Sequence, residues 1–516
     1  MGMIVMPPST QGSYEDLLSK YKDMTVLRSA AGIVQWDLET MMPPKGINLR
    51  SEQLGLLDLL SHKMLTDPAI AQLLRAIESS PSFPDMDQVQ RRNVRLIRKS
   101  YDEAVKLPEA LVSETAKQVT LSVGAWKRAK AAKDYSIFKP ELAKTIELKK
   151  QAGDILMRVK GTSNRYDALI DSFEPNMTAD KVTAIFSEMR DQLIHLMRKI
   201  EASDVKPDLS IVSRHMPVNV QRKISALAMQ FIGFDVTSAT AGGRLDETVH
   251  PFSTGYYDDV RITTHYYEDR FVSSFYSVMH EGGHALYEQG FPPLWMYQPV
   301  GSAASYGIHE SQSRFVENIV GRSPECLRHL LPRIRKATGA RLKGVGLKDF
   351  TLAANAVTPS KIRVEADEVT YGLHVIIRFE MERDLFADKL TVDELPQVWN
   401  EKYDKYLGVS IENDSEGVMQ DTHWASGYFG YFPSYALGNI YSGMWLDRLE
   451  KDVPEWRQRI GRGDFAAVRD WLRQSVHSKA NLYDPEELVQ VITGQSLRVG
   501  PFMDYLNRKY GRLYGF

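Results

Sequence analysis

Cysteine is almost missing from this chain: Cys326 is the only one in 516 residues. No intrachain disulfide is possible, which fits a reducing compartment and a cytoplasmic protein. An excess of charge of one sign is missing too. Lys plus Arg number 64 against 66 Asp plus Glu, a formal net charge of −2, so no basic field invites nucleic acid. No apolar run approaches roughly 18 residues, so no membrane-spanning helix is expected. The opening Met1-Gly2-Met3-Ile4-Val5-Met6-Pro7-Pro8 lacks a charged start and a full apolar core, and does not read as a secretory signal. Met6 stands where a myristoylation motif wants Ser or Thr. There is no internal repeat and no low-complexity segment. What remains is an ordinary globular composition, 43% hydrophobic and 25% charged, able to bury a large core. By length alone it allows two to four domains.

Helical spacing dominates the first half. Leu17, Leu18, Tyr21, Met24, Leu27, Ala31 and Val34 recur at helical intervals over 13–36, and further helical patterns cover about 50–62, 68–78, 85–106, 108–131, 136–158, 179–202 and 217–232. Thr178 is placed to cap the helix from 179. Polar stretches near 80–86 and 203–216 are connections between helices. The Trp36–Gly46 stretch is a turn whose Trp and Met residues suit packing better than chemistry. Helices are expected again at 314–321, 325–337, 347–356, 368–388 and through the tail from 440.

The chemistry gathers at Ser277-Val278-Met279-His280-Glu281-Gly282-Gly283-His284, an H-E-x-x-H within an apolar helical run. Four residues bring His284 nearly under His280, so both imidazoles leave one face and converge, as half of a tetrahedral zinc site requires. Glu281 lies a quarter turn round, able to reach a water at the metal and shuttle its proton without ligating. With 12 His in the chain, about 0.02 such matches are expected by chance. Two solvated histidines are the plain alternative, and the apolar flanks argue against it. Gly282 and Gly283 each cost a helix about 1 kcal/mol relative to Ala, so something is expected to approach the helix closely there, such as a substrate backbone.

Zinc needs a third protein ligand. Glu288 shares the face but lies about 9 Å along the axis from the midpoint of the histidines, out of reach. Glu310 and Glu317, in a second helical segment Ile308–Asn318, are seven apart on one face, and spacing does not choose between them. Before the metal helix, 258–267 alternates as a strand. A short edge strand there could hold an extended peptide or simply support the helix. The segments around Gly242 and His250–Gly255 look like loops. Gly427–Tyr435 packs Gly, aromatic and polar residues in the manner of a site-lining loop.

Six segments in order resemble the carboxypeptidase Taq family of metallocarboxypeptidases: His250-Pro251-Phe252; Asp259 to Thr263 (D-x-R-x-T); His280 to His284; His309-Glu310-Ser311-Gln312; Ile362 to Asp367 (I-R-x-x-A-D); and Gly417 to Trp424 (G-x-x-Q-D-x-H-W). Trp36-Asp37 to Pro43 resembles its N-terminal signature. The resemblance implies a mainly α fold of two lobes about a deep groove, a small sheet beside the metal helix, and a homodimer. It implies one domain over 1–516, with a helical lobe to about 235 and a catalytic lobe from about 236. It selects Glu310 as third ligand beside His280 and His284, with zinc or cobalt as the metal. It directs Arg363, with Tyr435, Arg261 and Asp421, to the substrate.

The implied reaction is hydrolysis of the last peptide bond of peptides, releasing single amino acids with broad specificity. Glu281 is the base, His423 or Tyr435 the oxyanion donor, and Arg363 the fork for the free carboxylate. For Arg363 the alternative is an ion pair with Asp367, four residues on; for His423 it is a structural histidine. A zinc oligopeptidase or peptidyl-dipeptidase cutting further from the C-terminus is the near rival. A silent peptide-binding scaffold with a structural metal is the distant one, and Glu281 argues against it.

Overall fold

Helices make up most of the chain, in the order their spacing predicts. The computed structural model describes residues 10–516; residues 1–9, which carry most of the N-terminal reading, lie outside the described residues. The first half runs Thr10–Thr40, Ile47–Leu65, Pro68–Glu78, Gln88–Lys106, Glu109–Ala132, Lys139–Lys160, Ala179–Glu201 and Val218–Ile232. Local signals set the ends. Asp87 and Gln90 form a reciprocal capping box, and the Thr178 hydroxyl accepts from the Lys181 amide, each satisfying an otherwise orphaned donor. Gly161 and Gly233 close their helices at φ +68° and +73°, a conformation Gly adopts without a Cβ clash.

The sheet has three strands: β1 (Gly243–Glu247), β2 (Ser253–Tyr256) and β3 (Asp259–Thr264), in the order β1-β3-β2. Leu245 lies opposite Ile262 in the parallel pair, and Thr254 opposite Arg261 in the antiparallel pair. Two expectations change here. The stretches around Gly242 and His250–Gly255 contribute strands, because pairing with β3 supplies a partner that their own sequence does not announce. And β3 is the central strand, not an edge: both its hydrogen-bonding sides are occupied, so it has none left for a peptide. It lies against the metal helix, where the Thr264 hydroxyl donates to the Ser274 carbonyl at 3.5 Å.

The segment expected as one helix over Ile308–Asn318 is two. An α-helix, Tyr306–Arg314, passes into a π-helical turn, Phe315–Gly321. The wider winding separates Glu310 from Glu317 in direction although an α-helix would stack them. Later, the helix expected from 368 begins at Tyr371, and Phe432–Asp452 is helical from its first residue, so Tyr435 stands on a helix rather than in a loop. One hydrophobic core runs across residue 235, joining Phe186 and Ile232 to Val278 and Leu437. A smaller core around Leu17, Leu74 and Ile97 serves the N-terminal helices. Among the described residues no helix is long and apolar enough to cross a membrane.

Candidate metal centre and the arginine cluster beside it

The metal helix is Phe271–Glu288. His280 and His284 leave one face of it, and Glu310 meets them from the helix Tyr306–Arg314. Glu310 Oε2 lies 3.6 Å from His280 Nε2 and 3.4 Å from His284 Nε2. Two bonds of about 2.1 Å at a tetrahedral angle place donor atoms about 3.4 Å apart, so both Glu310–histidine separations match those across one small divalent cation. The three donors form a group able to hold a metal ion. Glu317 is not in that group; its Oε2 accepts from His280 Nδ1 at 2.9 Å, which leaves His280 Nε2 free to ligate.

The close approach of the two helices depends on glycine. A Cβ on Gly283 would lie 2.5 Å from the Gln312 carbonyl oxygen and 2.7 Å from Ser313 Cα. One on Gly282 would collide with Ile232. What comes near the metal helix is therefore the backbone that follows Glu310, at Gly283, and the Ile232 side chain, at Gly282. Gly438 repeats the device from the other side: a Cβ there would lie 2.6 Å from Glu310 Cγ.

Every donor of this candidate group has a second partner. Arg314 Nε donates to Glu310 Oε1 at 2.7 Å, and Arg322 Nη2 to Glu317 Oε1 at 3.1 Å. His284 Nδ1 meets His309 Nδ1 at 2.5 Å, and His309 Nε2 meets Glu288 Oε1 at 2.9 Å. Glu288, too far off to ligate, thus orients a ligand through one imidazole. Burial pushes Glu281 up to about 7 and His284 down to about 3. Burial would also raise Glu310, but Arg314 and His280 outweigh it and hold Glu310 well below the usual carboxylate range.

Beyond Glu310 lies a buried arginine cluster. Arg314 stacks on Tyr371, with its guanidinium carbon 4.2 Å from the ring centre. Arg363 Nη1 donates to the Tyr371 hydroxyl at 3.2 Å. The expected alternative partner of Arg363, Asp367, is engaged elsewhere, accepting from the Val369 and Thr370 amides. Arg363 instead pairs with Asp421, Nε at 3.1 Å and Nη2 at 2.8 Å. Arg378 Nε reaches the other oxygen of Asp421 at 2.7 Å. Tyr435 lies 5.1 Å from the Arg363 guanidinium carbon, and its hydroxyl is 3.4 Å from His423 Nε2. Arg261 is not in this cluster. It pairs with Asp259 and, with Arg244, sandwiches the buried Trp36 at 4.4 and 4.8 Å.

The sequence matches the carboxypeptidase Taq (M32) metallopeptidase description over residues 16–510. The chain belongs to that family. Thermostable carboxypeptidase 1 of Thermus thermophilus is 40% identical to this M32 chain, over 98% of it and 99% of the relative. Carboxypeptidase 1 of Bacillus subtilis is 37% identical over 94% of this chain and 95% of its own. The solved M32 carboxypeptidase from Deinococcus radiodurans superposes with a TM-score of 0.93 at 34% identity, covering 98% of this chain and all of that one. The M32 chain is thus a peptide hydrolase of the metallocarboxypeptidase class, mainly helical with a small sheet. Arg314 and His309 beside the candidate metal centre, and Arg378 beside Asp421, were given no role by the sequence reading. Arg314 had a signal, standing four residues after Glu310 on one helix. His309 had a weaker one, its place beside Glu310. Arg378 had none, since its partner Asp421 is distant in the chain.

Proposed function

We propose that this chain is a zinc-dependent carboxypeptidase that removes single residues from the free C-terminus of peptides. His280, His284 and Glu310 are the ligands, Glu281 the base, and Arg363 the receptor of the terminal carboxylate. The observation that carries the last assignment is how Arg363 is held. Asp421 engages its Nε and Nη2 side, and Tyr371 takes one Nη1 hydrogen. Of five donors, one hydrogen on Nη1 and one on Nη2 are not used by these partners. That pair matches a second carboxylate.

The donor set of two neutral imidazoles and one carboxylate suits zinc, with cobalt as a substitute. A divalent ion held there would supply a Lewis acid and a water of lowered pKa, about 7. Glu281 takes the water's proton as the carbonyl is attacked and hands it to the departing amine. Tyr435 and His423 stand beside Arg363 and donate toward the developing oxyanion. Burial keeps His423 neutral, down to about 4, so it acts as a neutral ring. Arg363 would fix the last residue and so set which bond is presented to the side of the site that carries His280, His284 and Glu310. Asp421 acts through Arg363, and Arg261 belongs to the wall that holds Trp36.

Exposed apolar side chains on the first two helices, among them Val26, Ile33, Leu49, Leu56 and Leu59, support a homodimer through that face. The buried free thiol of Cys326 supports a reducing, cytoplasmic setting.

The test is a double difference. Arg363→Ala should cut kcat/KM on free-ended peptides by about 10- to 150-fold, from roughly 1.5–3 kcal/mol per charged hydrogen bond. On C-terminally amidated peptides it should change residual cleavage far less, with metal content unaltered. Equal losses on both would remove Arg363 from carboxylate recognition, and efficient cleavage of amides by the parent would favour the oligopeptidase.

A further inference from the structure

Asp421 is shared between two guanidinium groups, and the second has no place in the reaction described so far. Arg378 is fully buried. Its Nε donates to Asp421 Oδ2 at 2.7 Å, and its Nη1 to the His374 carbonyl at 2.7 Å and the Tyr403 hydroxyl at 3.1 Å. Its Nη2 is buried without a hydrogen-bond partner among the described residues. Its guanidinium carbon lies 4.5 Å from the Trp399 ring and 5.5 Å from Phe432, and Arg363 approaches Phe432 at 5.7 Å. The two arginines thus border one aromatic ring and one carboxylate.

The charges do not cancel. Arg363 and Arg378 are cations. Asp421 is the one anion paired with them, and burial, though it would raise its pKa, is outweighed by the two arginines. His374 and His423 are held neutral, first by burial. Tyr371, Tyr403 and Tyr435 are phenols pushed up by burial, so they stay uncharged. Lys130, a part-buried cation whose Nζ donates to the Gln420 carbonyl at 2.8 Å, also acts on Asp421 from outside the cluster; within the fully buried cluster, Arg363 and Asp421 alone would be neutral, and a carboxylate entering it would gain hydrogen bonds but no counter-charge. Arg378 leaves one buried positive charge unmatched, a costly arrangement for the empty fold that one monoanion relieves.

We propose that Arg378 is a positioning residue for C-terminal recognition: by sharing Asp421 it holds Arg363 side-on and keeps the cluster one charge positive for the substrate's carboxylate. This rests on the reading of Arg363 above. It adds a specificity consequence. The site selects a single carboxylate with a hydrogen-bonding fork and a net charge, so a neutral amide of the same shape is rejected by both.

The test measures competitive inhibition of the metal-loaded enzyme by N-acetylphenylalanine and by its amide, in the parent, Arg363→Ala, Arg378→Gln and Arg378→Lys. Arg378→Gln should weaken the acid about tenfold or more, as loss of one nearby charge at low effective dielectric implies. The amide should change little. Arg378→Lys should recover most of the loss, because the charge matters more here than the fork. Metal content and a cooperative melt confirm the fold of each variant. If Arg378→Gln does not fold, Arg378→Met, whose side chain packs against Trp399 and Phe432, takes its place. A Lys variant as weak as the neutral one, or equal weakening of acid and amide, overturns the proposal. If Arg363→Ala loses the acid-over-amide preference while the neutral Arg378 variant keeps it, Arg363 stands and Arg378 falls. If neither variant alters the preference, the reading of Arg363 fails with it.

Discussion

Two buried carboxylates lie beside His280, Glu281 next to it in the chain and Glu317 next to it in space, and their neighbours give them different work. Among the described residues no arginine acts on Glu281, and burial pushes it up to about 7. Glu317 is held by Arg314, Arg322 and His280 and lies well below the usual range. A group poised near neutrality suits proton transfer, and a fixed anion suits the orientation of an imidazole. Glu281→Gln should therefore keep metal and fold while lowering kcat by about 10²–10⁴-fold; activity within about tenfold of the parent would remove Glu281 from that role. Glu317→Gln should weaken metal binding by about 10–100-fold, read by competition with a chromogenic chelator. Glu310→Ala should abolish binding in the same assay. Full metal occupancy in Glu310→Ala, with loss in Glu317→Ala, would exchange the two assignments.

The candidate metal site forms where the metal helix meets Tyr306–Arg314, and Gly283 sets the distance between them. Gly283→Ala inserts a methyl group against backbone that cannot turn aside. Overpacking of this kind costs about 1–3 kcal/mol, and here it should also draw Glu310 from His280 and His284. The expected result is a lower melting temperature together with weaker metal affinity. Unchanged affinity in a folded variant would show that the approach of the helices does not set the ligand distances. The helices themselves were legible in the sequence because apolar spacing and caps are local: Pro68–Glu78 and Ala179–Glu201 fall within a residue of the spacing. So were His280 and His284, whose convergence follows from one helix. Spacing left Glu310 and Glu317 undecided, because the π-helical turn that separates them leaves no mark in apolar periodicity, and only the resemblance chose. The strands β1 and β2 were not legible either. Their partner β3 is what makes them strands. The two glycines were recognised as an approach site, but the sequence could not say what approaches.

At the scale of the whole molecule, buried neutral histidines tie stability to pH. Burial holds His423 at about 4 and His477 at about 3, against about 6.5 in the unfolded chain. Between these values the unfolded state binds more protons than the native one. The stabilisation is therefore complete above about pH 6.5 and is lost as pH falls through 4 and then 3. For His423 alone it is on the order of 3 kcal/mol. Urea midpoints should fall steadily from pH 6.5 to 4, and His423→Gln should flatten that slope. A slope unchanged in the variant would place the acid sensitivity elsewhere. The central claim, that this fold with its two histidines and one glutamate hydrolyses peptides from the free C-terminus in a metal-dependent way, is tested most directly by mass spectrometry of one peptide incubated with the protein. The account predicts a ladder of products shortened one residue at a time from the C-terminus with zinc or cobalt present, no ladder with a chelator, and none from the C-terminally amidated peptide. Internal fragments, release in pairs of residues, or a ladder that survives the chelator would contradict it.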